Sequence, residues 1–223
     1  MAPVFRSRLL RSILVLAFAL ASVAGSSARH HHHQSQESTA FDYYVLSLSW
    51  APTYCSEHPG DHSSECRTGE HKTFVLHGLW PQAESGPPPM SCAPARPVAA
   101  DLVDYMLQYF PSRGLIQHEW EEHGTCSGLS AQDYFHQAEQ AYRKIQLPEQ
   151  LRSLNREQDF RVSDIERGFA EANHAAAEAV RISCHNRELV NVEICLSKDL
   201  QFRACSPSVR DCPANEVSLL PAQ

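Results

Sequence analysis

Residues 118–128 read His-Glu-Trp-Glu-Glu-His-Gly-Thr-Cys-Ser-Gly, two histidines, three carboxylates and a cysteine in one short run. At ~100° per helical residue, His118, Glu122, Glu119 and His123 fall at roughly 0, 40, 100 and 140°. All four then share one face, while Trp120 points away toward a core and Gly124 supplies a helix stop. An exposed amphipathic helix also carries Glu and His, so the window gains chemical meaning only beside a second one. Residues 74–82, Phe-Val-Leu-His-Gly-Leu-Trp-Pro-Gln, place His77 at the end of an apolar run and just before a glycine and a Trp-Pro pair. Imidazole titrates near pH ~6.5, so paired histidines can offer one neutral and one protonated ring, each worth ~10²–10⁴ in rate as base or acid.

Together these two segments resemble the two active-site segments of the ribonuclease T2 family, and the chain is similar to its bacterial, periplasmic ribonuclease I-like branch. The resemblance runs from about Tyr43 to Pro213 and takes in Trp50-Ala51-Pro52-Thr53-Tyr54-Cys55 and the closing cysteine-rich hairpins. It implies a secreted or periplasmic endoribonuclease needing no metal and no cofactor. Such an enzyme cleaves single-stranded RNA, with low base specificity, through a 2′,3′-cyclic phosphate to 3′-phosphate ends. RNA carries its own nucleophile beside each scissile phosphate, so one group must take the 2′-hydroxyl proton and another must protonate the departing 5′-oxygen. DNA lacks that nucleophile and is spared. By resemblance His77 is the general acid, His123 the general base and His118 the phosphate holder, with Glu119 positioning or polarising the site. Trp80 stacks on a base, a contact worth ~1–3 kcal/mol and tolerant of base identity.

Three positions depart from the family pattern. Ser49 stands before the early tryptophan where many relatives have Gln, and Gln82 follows Trp80-Pro81 where some relatives read a base with Asp or Asn. Glu122 stands immediately before His123, where the family usually has Lys. A cation there stabilises charge developing on phosphate, and such a donor is worth ~2.7–4 kcal/mol. Arg96, Arg113 and Lys72 are the candidates to replace it. A carboxylate also favours imidazolium, so Glu122 is expected to raise the pKa of His118 and His123 and move the pH optimum toward neutrality.

The elements that must hold these residues follow from periodicity. Phe41–Trp50 alternates as a half-buried strand, with Tyr44, Leu46, Leu48 and Trp50 on one side. Residues 55–71 read as a polar loop, and Lys72–Leu76 as a second strand that mounts His77 at its end. The five prolines between Ala83 and Pro97 exclude helix or central strand there. Helices are expected over Val98–Phe110, across the motif after Gly114, from a Ser130/Asp133 cap to about Ile145, from Pro148 to Leu154 and from a Ser163/Glu166 capping box, with a further turn near Asn173. Ala179–Cys184, Leu189–Leu196 and Leu200–Cys205 alternate as antiparallel strands. Strands at both ends with helices between them make an α+β fold, a mainly antiparallel sheet with several helices packed against it, disulfide-stabilised, in a single domain.

Arg6, Arg8 and Arg11 precede the apolar run Ile13–Ala24, so residues 1–28 read as a signal peptide and 29–42 as a flexible amino terminus before the domain at 43–223. That run is too short to favour a membrane span, which needs ~20 apolar residues, so no membrane association is expected. The formal net charge of −7 argues against a general polyanion binder, so RNA must be held at a few local subsites, by a protein expected to be monomeric. The 8 cysteines form an even set in an export-directed chain and read as disulfides rather than metal sites. The resemblance pairs Cys92 with Cys126, Cys184 with Cys212 and Cys195 with Cys205, leaving Cys55 with Cys66. A zinc hydrolase is disfavoured because its ligands sit at i and i+4, whereas His118 and His123 stand at i and i+5. A binding protein on the same scaffold, weakened in catalysis through Glu122, is the remaining alternative.

Overall fold

The computed structural model describes residues 41–222. The expected signal peptide and residues 29–40 lie outside them. Tyr43–Trp50 form β1, and the helix α1, Ala51–Glu57, follows directly. Pro52 ends the strand because it is already inside the first turn of α1, where its missing N–H costs nothing; the expected polar loop therefore begins later. β2 is Phe74–Gln82, α2 is Ala100–Met106 and α3, the motif helix, is Arg113–Glu122. α4 is Ala131–Lys144, β3 is Gln158–Arg161 and α5 is Val162–Ala172. β4, Val180–His185, β5, Glu188–Leu196, and β6, Glu216–Leu219, complete the described elements.

The strands form one sheet in the order β2-β1-β5-β6-β3, with β4 also paired to β5. Pairing is antiparallel except for a short parallel contact between β5 and β6. This is the α+β architecture expected. The sheet's helix-facing side carries Tyr44, Leu46, Leu48, Trp50 and Leu76, which pack with Met106, Ile116, Phe135 and Phe169 in the main core.

β1 is not half-buried. Its other side buries Tyr43 and Val45 against Cys195 and Val209 in a second, small cluster, and Tyr43 Oη meets Ser206 Oγ at 2.9 Å. The carboxy-terminal loop supplies this cover, and alternation in β1 alone could not reveal it.

The cysteines pair as Cys55–Cys66, Cys92–Cys126, Cys184–Cys212 and Cys195–Cys205. Several boundaries move for identifiable reasons. The helix expected to reach Phe110 stops at Met106, because Gln108 and Tyr109 bond the carbonyls of Tyr105 and Met106, three residues back, and tighten the chain before Pro111. Ser163 is not a cap: Val162 N–H bonds to Asn215 O, so α5 starts two residues earlier, with Arg161 at the cap position, straight from β3. Asn173 closes α5, and the further turn expected near it is followed by a 3-10 turn at Ala177–Ala179. Pro148 opens only a single 3-10 turn, Glu149–Leu151. Leu200–Cys205 keeps one bridge, Leu196 to Phe202, because Leu200 takes a left-handed turn (φ 57°) and Cys205 is tied back to Cys195. By contrast Ser130 caps α4 as expected, accepting from Asp133 N–H at 3.2 Å.

Cys92–Cys126 joins the proline-rich loop to the turn after α3 across a separation of 34 residues. Loop-closure entropy assigns such a link roughly 3–4 kcal/mol. The Cys92→Ala/Cys126→Ala double variant is expected to lose that much unfolding free energy in urea, with the loss read at the midpoint and the other three disulfides intact.

Candidate active site

β1 and β2 pair in register from Tyr43↔Gln82 to Ser47↔Gly78 and resume at Leu48↔Leu76. His77 is the residue left over. It therefore sits on a β-bulge within β2, not at a strand end, and a bulge re-aims the side chain it carries. Its Nδ1 lies 2.9 Å from Ser49 Oγ, and its Nε2 lies 3.6 Å from Glu119 Oε1.

Glu119 comes from α3, which is capped at its start by Ser112 Oγ accepting from Leu115 N–H. The carboxyl is completely buried and reaches the sheet only because Gly78 has no side chain: a Cβ there would overlap the Glu119 carboxyl and the Trp80 indole nitrogen. Trp80 Nε1–H donates to Glu119 Oε2 at 2.8 Å. The Trp80 ring neighbours both histidines, 5.3 Å from His77 and 5.2 Å from His123, centroid to centroid. The helix face expected from the sequence is thus assembled around Trp80, with His118 exposed at its outer edge.

His123 closes α3, and its Nδ1 is buried without a hydrogen-bond partner among the described residues, as is Glu119 Oε1. Gly124 follows, but not as a left-handed stop, since its φ is not positive. Its role is close approach: a Cβ would strike the Trp120 ring and meet Tyr134 at 2.9 Å.

Burial sets the electrostatics. It pushes Glu119 up to about 8, with the Trp80 hydrogen bond opposing and the charge of Glu122 adding to the rise. It holds His77 down at about 4, helped by the charge of His118 and opposed by Asn191, which acts as a hydrogen-bond acceptor toward the ring. His123 also falls to about 4, from burial first and then from the charges of His118 and His77. Glu122 does raise His123, as expected from the sequence, but as the smallest of these effects, so the expected elevation of His123 is overturned. Loss of water around the ring outweighs one half-buried carboxylate.

Glu122 has a structural task as well. Its Oε2 accepts from Ser91 Oγ at 2.9 Å and its carbonyl from Ser91 N–H at 2.8 Å, so it clasps the proline-rich loop to α3. Of the cations considered as replacements, Arg113 pairs with Asp104, Lys72 donates to Ser64 Oγ and Arg96 is exposed.

A cleft of about 500 Å³ opens beside His123, lined by Trp80, Gln82, His123, Glu193 and Arg210 among others. Arg210 and Glu193 were invisible to motif reading, because they belong to the tail and reach the cleft only through its folding. Asn191 was missed for the same reason, although Ser49, its partner, had already stood out as a departure. Among the described residues, no three His, Cys, Asp or Glu side chains converge as metal ligands would, and no helix is long and apolar enough to cross a membrane.

The sequence profile of the Ribonuclease T2 family matches residues 41–205. A ribonuclease of Aeromonas hydrophila is 44% identical over 115 residues, 52% of this chain and 51% of that protein. A probable ribonuclease of Haemophilus influenzae is 32% identical over 177 residues, 74% of this chain and 61% of that protein. The chain thus spans only about half to three fifths of the length of these two curated relatives. An RNase-related protein from Calystegia sepium superposes with a TM-score of 0.68 at 25% identity, covering 82% of this chain and 98% of that one.

Gly78→Ala is expected to lower unfolding free energy by roughly 1–3 kcal/mol, the range for overpacking, and to change the near-ultraviolet circular dichroism of Trp80. Gly60→Ala, with open space around it, is the matched control and leaves both signals unchanged.

Proposed function

The chain belongs to the Ribonuclease T2 family, and on that premise we propose that it is a metal-independent endoribonuclease acting on single-stranded RNA with low base specificity. The observation that carries the reading is the gathering of His77 and His123 against the same Trp80 ring, each about 5 Å from it, with a buried carboxyl hydrogen-bonded to that indole. Two imidazoles so held can act on the two oxygens of one phosphodiester.

His123, neutral above about pH 4, takes the proton from the 2′-hydroxyl. O2′ attacks phosphorus, the bond from phosphorus to O5′ breaks, and His77 delivers a proton to O5′, leaving a 2′,3′-cyclic phosphate. In the second half the roles reverse, and water opens the ring to a 3′-phosphate. His118, exposed at the rim, holds the phosphate, and Trp80 offers a wall of the cleft to a base. Arg210 on the same cleft supplies positive charge that the usual lysine would have brought where Glu122 stands.

Glu119 has a more definite role than positioning. Trp80 donates to Oε2, so the proton of the neutral acid resides on Oε1, facing His77 Nε2. Between about pH 4 and about pH 8 the pair holds one proton in common, and the negative phosphate draws it onto His77, where the leaving oxygen needs it. The four disulfides support an oxidising compartment, secreted or periplasmic, and the protein acts as a monomer.

The signs for pH are opposite at the two ends. Glu119 titrates above its ordinary value in the folded protein, so the stability it contributes is complete below the usual carboxylate range and is lost as pH rises through about 8. His123 titrates below its ordinary value, so its contribution is complete above about 6.5 and is lost as pH falls through about 4. Activity follows the same window. The profile of kcat/KM is expected to rise near pH 4 and fall near pH 8. In Glu119→Gln the alkaline fall moves down toward the value of His77 alone, about 4.

Purified protein incubated with RNA and with its 2′-deoxy analogue in excess chelator is expected to cleave RNA alone and to yield cyclic phosphate ends, read by phosphorus NMR. Cleavage of both substrates, or activity abolished by the chelator, refutes the reading. Oligonucleotide binding without cleavage favours a binding protein on this scaffold instead.

A further inference from the structure

Three neighbouring strands each contribute one polar side chain to a line that ends on His77. Ser49 on β1 lies directly opposite Asn191 on β5, and the bulge in β2 turns His77 toward Ser49. Ser49 Oγ–H donates to Asn191 Oδ1 at 2.8 Å. With its proton committed there, the hydroxyl meets His77 Nδ1, at 2.9 Å, with a lone pair, so Nδ1 carries a hydrogen.

We propose that Asn191 is a positioning residue that fixes the tautomer and orientation of His77 through the Ser49 hydroxyl, keeping Nε2 turned toward Glu119 and the substrate. Asn191 is buried at 9% exposure, and neither it nor Ser49 lines the cleft, so its effect reaches substrate only through His77. The opposite tautomer would set two lone pairs against each other at Nδ1, or oblige Ser49 to turn its proton and abandon a buried acceptor, which is unfavourable. The same chain steadies the protonated ring, because its Nδ1–H keeps Ser49 Oγ as acceptor while Nε2–H, 3.6 Å from Glu119 Oε1, is free to serve the leaving oxygen. Asn191 also bears directly on the protonation of His77, which its hydrogen bond favours.

The proposal rests on the reading of His77 as the acid that protonates the leaving oxygen, and leaving-group dependence tests both. A dinucleoside monophosphate expels an alkoxide that needs a proton, whereas a nucleoside 3′-(4-nitrophenyl phosphate) expels a phenolate that does not. Asn191→Leu is expected to lower kcat on the dinucleotide by roughly 10- to 100-fold, with KM little changed, and to leave the nitrophenyl ester nearly unaffected. Asn191→Asp, which keeps the acceptor, restores most of the dinucleotide rate.

Equal losses on both substrates mark a merely structural residue and overturn the proposal, as does no loss on either. His77→Ala must show the same split between leaving groups. If it does not, the acid assignment itself has failed. The ¹⁵N shifts of His77 then decide the contact separately: Nδ1–H in the wild type and a tautomer mixture in Asn191→Leu support it, and an unchanged tautomer overturns it.

Discussion

One buried carboxyl group fixes the geometry of the site. Glu119 projects from α3 into the sheet at the single place where β2 offers no side chain, Gly78, and there meets Trp80 Nε1 and His77 Nε2. An ionised carboxylate in that position would lack water and have one strong donor, so burial keeps it neutral. The arrangement makes the helix and the strand depend on each other. α3 cannot shift along β2 without stranding Glu119, and Trp80 cannot rotate without leaving it unbonded. Both histidines lie against that indole, so the same clamp bears on where each of them sits.

The electrostatics follow from this packing more than from the local charge pattern. Glu122 was the position where the sequence suggested control over rate and pH, and its pull on His123 has the expected sign. Desolvation of both imidazoles overrides it, and Glu119, with its raised pKa, becomes the group that keeps a proton available near neutral pH. Glu122 instead holds Ser91 and, beside Cys92–Cys126, the loop that follows β2. A residue that departs from a family pattern at an active site can therefore act first on the architecture around it.

The candidate site residues were legible because their types are dense and their spacing matches one helical face; His118, Glu119 and His123 needed no tertiary information to be grouped. The α+β class followed equally from strands at both ends, and the disulfide pairs from the resemblance. What escaped were properties created by pairing. The bulge at His77 exists only in the register between β1 and β2, and the helix-distant partners Asn191, Glu193 and Arg210 come from a tail whose order in space does not follow its order in sequence. The second buried face of β1 had the same origin: alternation shows which residues share a side, not what comes to cover it. Short elements such as β3 and β6 carry too few residues for any period to show.

The central claim is that Glu119 is a neutral acid at the pH where the site would work. It is tested most directly by a ¹³C NMR titration of the glutamate side-chain carboxyls, with Glu119→Gln used to assign the resonance. The Glu119 carboxyl is expected to stay protonated through neutrality and to titrate near the value of about 8 set by its burial. A Glu119 resonance that titrates in the ordinary carboxylate range, ~4.3, would contradict it, and with it the shared proton between Glu119 and His77.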